Sequence, residues 1–185
     1  MQNTSKTVRM LCEGAISIAL ALVLSYFKAD FWTQGGSIDL VMVPLIIFAV
    51  RWGCPWGVLT GLVFGTLKYF LGAGWALDWV SIIFDYSLAY AAVGLAGLFK
   101  RKVKLIPVAA VVGGAARFVI HYISGFTVYA KWMPEEFMNM KMTSPFIYSA
   151  LYNGGYMLPN IILAAAICAI LIGPMKKYLG GEDLR

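Results

Sequence analysis

From Met10 to Phe27 the chain carries a single charge, Glu13, and comparable apolar runs recur along its whole length. Within hydrocarbon such a run finds no water for its backbone N–H and C=O groups, so it must close its own hydrogen bonds as a helix. A secretory signal is the competing reading of the first run. It is long for a signal core, and no small-x-small cleavage site follows around Lys28-Ala29-Asp30. Composition points the same way: 61% hydrophobic and 13% charged residues, with a mean hydropathy of +0.76, lie well outside the range of soluble domains. At about 20 residues per span, 185 residues leave room for roughly six helices and no separate catalytic domain.

The expected architecture is an all-α polytopic membrane protein, one six-helix domain over residues 1–185, with spans at about 10–27, 40–50, 56–71, 75–98, 107–128 and 145–172. Basic residues gather at Lys6 and Arg9, at Arg51, at Lys100-Arg101-Lys102 with Lys104, and at Lys176-Lys177. All four groups fall on one side of a six-span chain, which the positive-inside rule makes cytoplasmic, with both termini in. The 15 basic against 9 acidic residues therefore report topology, and nucleic acid is not an expected partner. Cys12, Cys54 and Cys168 lie toward the same reducing side. With a single histidine, the chain offers no metal-ligand spacing.

One stretch breaks the apolar pattern. Arg117, His121, Gly125 and Tyr129 are four apart and share one helical face in the fifth span. Charged groups at such depth are disfavoured against lipid, so the stripe should face protein or a wet cavity. Helix rise of 1.5 Å per residue puts Lys68, Arg117 and His121 roughly 20 to 25 Å from the cytoplasmic ends of their spans, level with Asp85 and Asn153. Asp78 and Ser81 share the face of Asp85, and Ser149, Tyr152, Tyr156 and Asn160 surround Asn153. Polar groups converging from four spans, with aromatic rings beside them, describe a ligand pocket opening outward. Each group also has a structural reading: Lys68 could snorkel, Asp85 and Arg117 could form a buried ion pair, and His121 could be a bonded core histidine.

Small residues form a second pattern. Gly57, Gly61 and Gly65 are four apart in the third span, which suits tight helix packing. Gly14, Ala15, Ala19 and Ala21 offer a small-residue face on the first span. Catalysis is not expected. No phosphate-cradling G-x-x-x-x-G-K-[ST] occurs, and His121 with Ser124 lacks a third member and an oxyanion hole. A stand-alone proton-coupled secondary transporter of a small cationic or vitamin-like solute is the alternative, and an intramembrane enzyme a more distant one. Against the secondary transporter stands the lack of visible internal repeats.

The order of Glu13-Gly14-Ala15, Gly36-Ser37-Ile38, Val43-Pro44-Leu45, Asp85-Tyr86, Ala116-Arg117-Phe118 with His121 and Gly125, and Tyr148-Ser149 with Asn153-Gly154 resembles the thiamine-specific S-components of energy-coupling factor transporters. The resemblance covers nearly the whole chain. It implies a bacterial plasma-membrane subunit that captures thiamine from outside with high affinity and holds no cofactor. Its partners would be a transmembrane coupling subunit and two cytoplasmic ATPases, where ATP is used. Carried over by position, the thiamine-binding set is Trp32, Trp75, Asp85, Tyr86, Arg117, His121, Gly125, Tyr129, Tyr148, Ser149 and Asn153, and the coupling interface is Ala15 and Ala19. Two positions depart from the pattern. Asp85 stands where such proteins more typically have Glu, and Tyr129 where they have Trp.

Overall fold

The structure is a computed structural model that describes residues 2–32, 35–73 and 76–184. Helix α1 spans Gln2–Tyr26, α2 Met42–Trp52, α3 Cys54–Lys68, α4 Trp79–Phe99, α5 Ile106–Thr127 and α6 Pro145–Gly180. Several helices overrun the apolar stretches that announce them; α6 continues past Ile172 to Gly180, carrying its lysines on the same rod. Among the described residues, four segments are long and apolar enough to cross a membrane: Thr4–Tyr26, Trp79–Phe99, Val103–Thr127 and Pro145–Leu184. At 11 residues α2 falls short, and α3 reaches 15 before passing into a π turn at Tyr69–Ala73.

Helix α2 is the hub. Every residue from Met42 to Trp52 except Ile47 is buried, so an apolar helix too short to span on its own is wrapped by the others. Pro44 sits in its first turn, where the missing N–H leaves no bond unmade. By contrast Leu11, Ile16, Leu20 and Val23 of α1, and Leu158, Ile162 and Ile170 of α6, are exposed. Such an apolar belt suits lipid, not water.

Glycines set the spacing between α3 and α4. A Cβ on Gly61 would lie 2.1 Å from the Tyr90 carbonyl oxygen, and one on Gly65 2.2 Å from that of Tyr86. The contact is reciprocal, since a Cβ on Gly94 would meet Val58 N at 2.1 Å and one on Gly97 would meet Cys54 N at 2.3 Å. Backbone touches backbone along the pair, and this fixes the height at which α4 presents Asp85, Tyr86 and Tyr90.

The first span's small residues do not form one face. Gly14 and Ala21 turn inward, Gly14 against Phe48 and Thr60, while Ala15 and Ala19 lie exposed on the outer side. The spacing of 14, 15, 19 and 21 covers both sides of a helix once its inner side is known.

Two antiparallel hairpins cover one end of the bundle. The first pairs β1, Ala29–Trp32, with β2, Gly35–Ile38; the second pairs β3, Glu136–Phe137, with β4, Met140–Lys141. The opposite end is closed by an ion cluster. The side chain of Arg51 is 0% exposed and meets Glu13 Oε2 at 2.6 Å through Nε and Asp183 Oδ1 at 2.9 Å through Nη1. Its guanidinium also donates to the Tyr178 carbonyl and stacks 3.8 Å from the Tyr178 ring centroid. Trp52 Nε1, the Tyr178 hydroxyl and Arg9 Nε all donate to Glu13 as well. Arg51, expected as a topology charge, ties α1, α2 and the C-terminal turn together.

Candidate functional site

Beneath the hairpins lies a cavity of about 300 Å³ lined by α4, α5, α6 and the first hairpin. Two carboxylates line it: Asp30 at the exposed edge, paired with Lys28, and Asp85, carried on a π segment, Ile83–Leu88, that interrupts α4. Such segments concentrate at functional sites because they re-aim side chains that an unbroken α-helix would turn elsewhere. Asp78 and Ser81, expected on the same face, serve chiefly to start this helix. Asp78 Oδ1 accepts from Ser81 N at 2.8 Å and Ser81 Oγ accepts from Asp78 N at 3.1 Å, a reciprocal capping box.

Asp85 is held from α5. His121 Nδ1 lies 3.1 Å from Oδ1, and Ser124 Oγ donates to Oδ2 at 3.1 Å. Three residues apart on one helix, these donors take one carboxylate oxygen each. The imidazole's tautomer follows from its other partner. Arg117 Nε donates to His121 Nε2 at 3.3 Å, so Nε2 is the acceptor and Nδ1 carries the hydrogen toward Asp85. Ser124 thus orients the acid from the same helix. Asp85 and Arg117 form no direct ion pair among the described contacts; His121 stands between them.

The floor of the cavity is cationic. Arg117 Nη2 donates to the Tyr90 hydroxyl at 3.0 Å with its guanidinium carbon 4.2 Å from the ring centroid. Lys68 donates to the same hydroxyl at 2.6 Å and pairs with Asp39 at 3.4 Å. Lys68 is only 5% exposed, so it does not snorkel: a carboxylate and a phenol hold it inside. Arg117 Nη1 is buried without a hydrogen-bond partner among the described residues. An unmade bond of this kind costs about 1–3 kcal/mol, a penalty retained most often at functional sites.

Helix α6 supplies the facing wall. A Cβ on Gly125 would fall 2.1 Å from Ser149 Oγ and 2.9 Å from Asn153 Nδ2, so the missing side chain is what admits them to α5. Ser149 Oγ donates to the Tyr122 carbonyl at 2.8 Å and Asn153 Nδ2 to that of His121 at 3.2 Å. Asn153 Oδ1 accepts from Tyr156 at 2.9 Å. The amide expected to greet a ligand thus spends its donors inside the wall, leaving Oδ1 a second lone pair. Tyr129 hydrogen-bonds with Ser81 and Asp85; burial and then the neighbouring carboxylate push its phenol well above the ordinary tyrosine range, which keeps it neutral.

Of the residues carried over by resemblance, Asp85, Tyr86, Arg117, His121, Gly125, Tyr129, Tyr148, Ser149 and Asn153 line the cavity. Trp32 sits in its cover instead. The indole Nε1 donates to the Tyr152 carbonyl at 3.0 Å, and the ring packs 5.0 Å from Phe137 of the second hairpin. Trp75 lies outside the described residues. Ala15 and Ala19 are exposed on α1, away from the cavity. Tyr90 was missed, although it stands four residues after Tyr86 on the same face. Asp39 was missed because it lies in a loop, where an acid is unremarkable.

Comparison with known proteins agrees with this arrangement. A family model described as Thiamine transporter protein (Thia_YuaJ) matches residues 11–179. Two relatives, each named Thiamine transporter ThiT, come from Bacillus subtilis and Lacticaseibacillus paracasei. The first is 35% identical over 97% of this chain and 98% of its own length, and the second 27% identical over 96% and 94%. A solved structure of ThiT from Listeria monocytogenes superposes with a TM-score of 0.83 at 25% identity, covering 94% of this chain and 98% of that one. A family match over nearly the whole length, joined to a likeness of fold, leads to one conclusion: this chain belongs to the thiamine transporter protein (Thia_YuaJ) family.

Proposed function

We propose that this chain is the substrate-capturing membrane subunit of an energy-coupling factor importer, taking thiamine from outside a bacterial cell with high affinity. The observation that carries the reading is Asp85, fixed by His121 and Ser124 at the wall of the cavity beneath the hairpins. Thiamine joins a permanent thiazolium cation to a flat aminopyrimidine. A carboxylate whose two oxygens are each oriented by a donor of α5 is placed to face that cation, and Tyr86, Tyr129 and Tyr148 supply faces for the rings. Each cation–π contact adds about 0.5 to 2 kcal/mol, whereas a nanomolar site needs about 12 kcal/mol, so charge pairing and stacking act together.

In this reading the six helices form one bundle with both termini in the cytoplasm, α2 and α3 being short crossings inside it. The chain itself is not an enzyme; two ATPase subunits, coupled through a transmembrane partner, drive release. Ala15 and Ala19 are the surface for that partner, since they are exposed and take no part in internal packing.

The test is a titration of the purified chain with thiamine, followed by quenching of tryptophan fluorescence. Saturable quenching at nanomolar ligand is expected; no response at micromolar thiamine overturns the assignment. A paired measurement examines the coupling surface. Replacing both alanines, Ala15→Trp and Ala19→Trp, should leave this affinity intact and stop thiamine uptake in cells holding the remaining subunits. Unchanged uptake would remove the interface.

A further inference from the structure

The polar contacts of the first hairpin with the bundle run mainly to one face of α6. The Tyr152 hydroxyl donates to the Gly35 carbonyl at 3.0 Å, and Tyr156 packs so closely that a Cβ on Gly36 would meet its ring at 2.6 Å. One helical turn deeper stands Asn160, fully buried and not part of the cavity lining. Its Nδ2 donates to the Ser37 carbonyl at 2.7 Å while its Oδ1 accepts from Asp39 N at 2.9 Å. The carbonyl of one strand residue and the N–H of the residue two further on point to the same side, the pair that a neighbouring strand would normally engage. A single carboxamide here takes the place of that strand.

Asp39 extends the clamp downward. Its Oδ1 accepts from Val41 N at 3.2 Å at the entry to α2, and its Oδ2 lies 3.4 Å from Lys68 Nζ. From Lys68 the bonds continue through Tyr90, Arg117 and His121 to Asp85. The base of the cover and the carboxylate wall therefore belong to one hydrogen-bonded line.

We propose that Asn160 is a positioning residue for ligand retention: by standing in for a strand it fixes the base of the first hairpin, and through Asp39 and Lys68 it keeps that hairpin in register with the wall bearing Asp85. The proposal rests on the reading of the cavity as the thiamine site. A ligand beneath the hairpin leaves only when the hairpin parts from α6. Trp32 and Tyr152 hold the hairpin near its tip, whereas Asn160 holds the base about which it would swing. Loosening the base should hasten departure far more than it slows arrival, because an open cover does not obstruct entry.

The experiment uses the purified full chain and the variants Asn160→Leu, which removes both bonds to the hairpin base, together with the Nδ2 bond to the Tyr156 carbonyl of its own helix, at similar volume, and Asn160→Asp, which keeps the acceptor for Asp39 N–H and loses the donor to Ser37. Hydrogen exchange of the amides of residues 35–39 is measured without ligand, and thiamine association and dissociation are followed by stopped-flow fluorescence. Faster exchange confined to the hairpin and a dissociation rate raised by about tenfold for the loss of two hydrogen bonds, with association within about twofold, are expected for Asn160→Leu. Asn160→Asp, whose buried carboxylate would face the Ser37 carbonyl with no donor between them, should loosen the hairpin at least as far. Hairpin exchange equal to that of the unaltered chain, or faster exchange spread evenly over all helices, would overturn the proposal. If Asn160→Leu does not fold, the Asn160→Asp variant and the neutralised pair Lys68→Met with Asp39→Asn face the same criteria. If the unaltered chain does not bind thiamine, the functional reading falls and ligand-free exchange alone decides the role of Asn160.

Discussion

The two ends of the bundle handle buried charge in opposite ways. At the Arg51 end every N–H of the guanidinium is spent, on two carboxylates and a carbonyl, with an aromatic ring against its face. At the cavity end, among the described residues, the guanidinium of Arg117 meets only a neutral imidazole and a phenol and keeps one nitrogen without a hydrogen-bond partner, while Asp85 is oriented by His121 and Ser124 and pairs with no lysine or arginine. A saturated cluster stabilises, and an unsaturated one recognises. The same residue types thus serve the fold at one end and the ligand at the other, and partner count tells them apart where residue identity does not.

Breaking the closed half should destroy the protein without informing on the ligand. The largest effect is expected for Gly61→Leu, whose Cβ would fall 2.1 Å from a backbone oxygen that has no room to retreat. No monodisperse protein should be recovered on size-exclusion chromatography. Next is Arg51→Gln, which strands Glu13 and Asp183. Loss of a buried ion's partner costs about 3–5 kcal/mol, and the partial exposure of both acids puts the figure near about 3 kcal/mol. The melting temperature should drop by several degrees while thiamine affinity stays within about threefold, since the cluster contributes nothing to the cavity.

Sequence alone made much of this legible, and the failures share a cause. The depth argument brought Lys68, Asp85, Arg117, His121 and Asn153 to one level because helix rise is constant, and the structure places all five on a single cavity. Rotation and partners are not constant. Lys68 reads as a snorkelling residue until Asp39, which lies in a loop, comes within 3.4 Å. Asn160 looks like a pocket residue by its spacing from Asn153 and Tyr156, yet it faces the hairpin base. Asp78 shares a face with Asp85 only in an unbroken α-helix, and the π segment with its capping box undoes that register. Glu13 and Arg51 meet across α1 and α2, a contact between segments that no local pattern encodes.

A smaller effect sharpens the contrast within the open half. Tyr129→Phe removes one neutral hydroxyl from the surroundings of Asp85 and keeps the ring. Its loss should weaken thiamine binding by about fivefold, the worth of one hydrogen bond of about 1 kcal/mol, and leave thermal stability unchanged. A loss beyond about a hundredfold would make the phenol a principal ligand contact and not a support for the acid.

The central claim is that Asp85 acts as the counter-charge of a bound cation. It is tested most directly by comparing thiamine with an uncharged isostere, in which a neutral five-membered ring replaces the thiazolium, on the unaltered chain, on Asp85→Asn and on Asp85→Glu. The unaltered chain should prefer thiamine by about a hundredfold or more, in line with the 3–5 kcal/mol attached to one member of a buried charge pair. Asp85→Glu should keep most of that preference, and Asp85→Asn should bind the two compounds nearly alike. A preference that survives in Asp85→Asn would contradict the account and move the cation's partner elsewhere in the cavity.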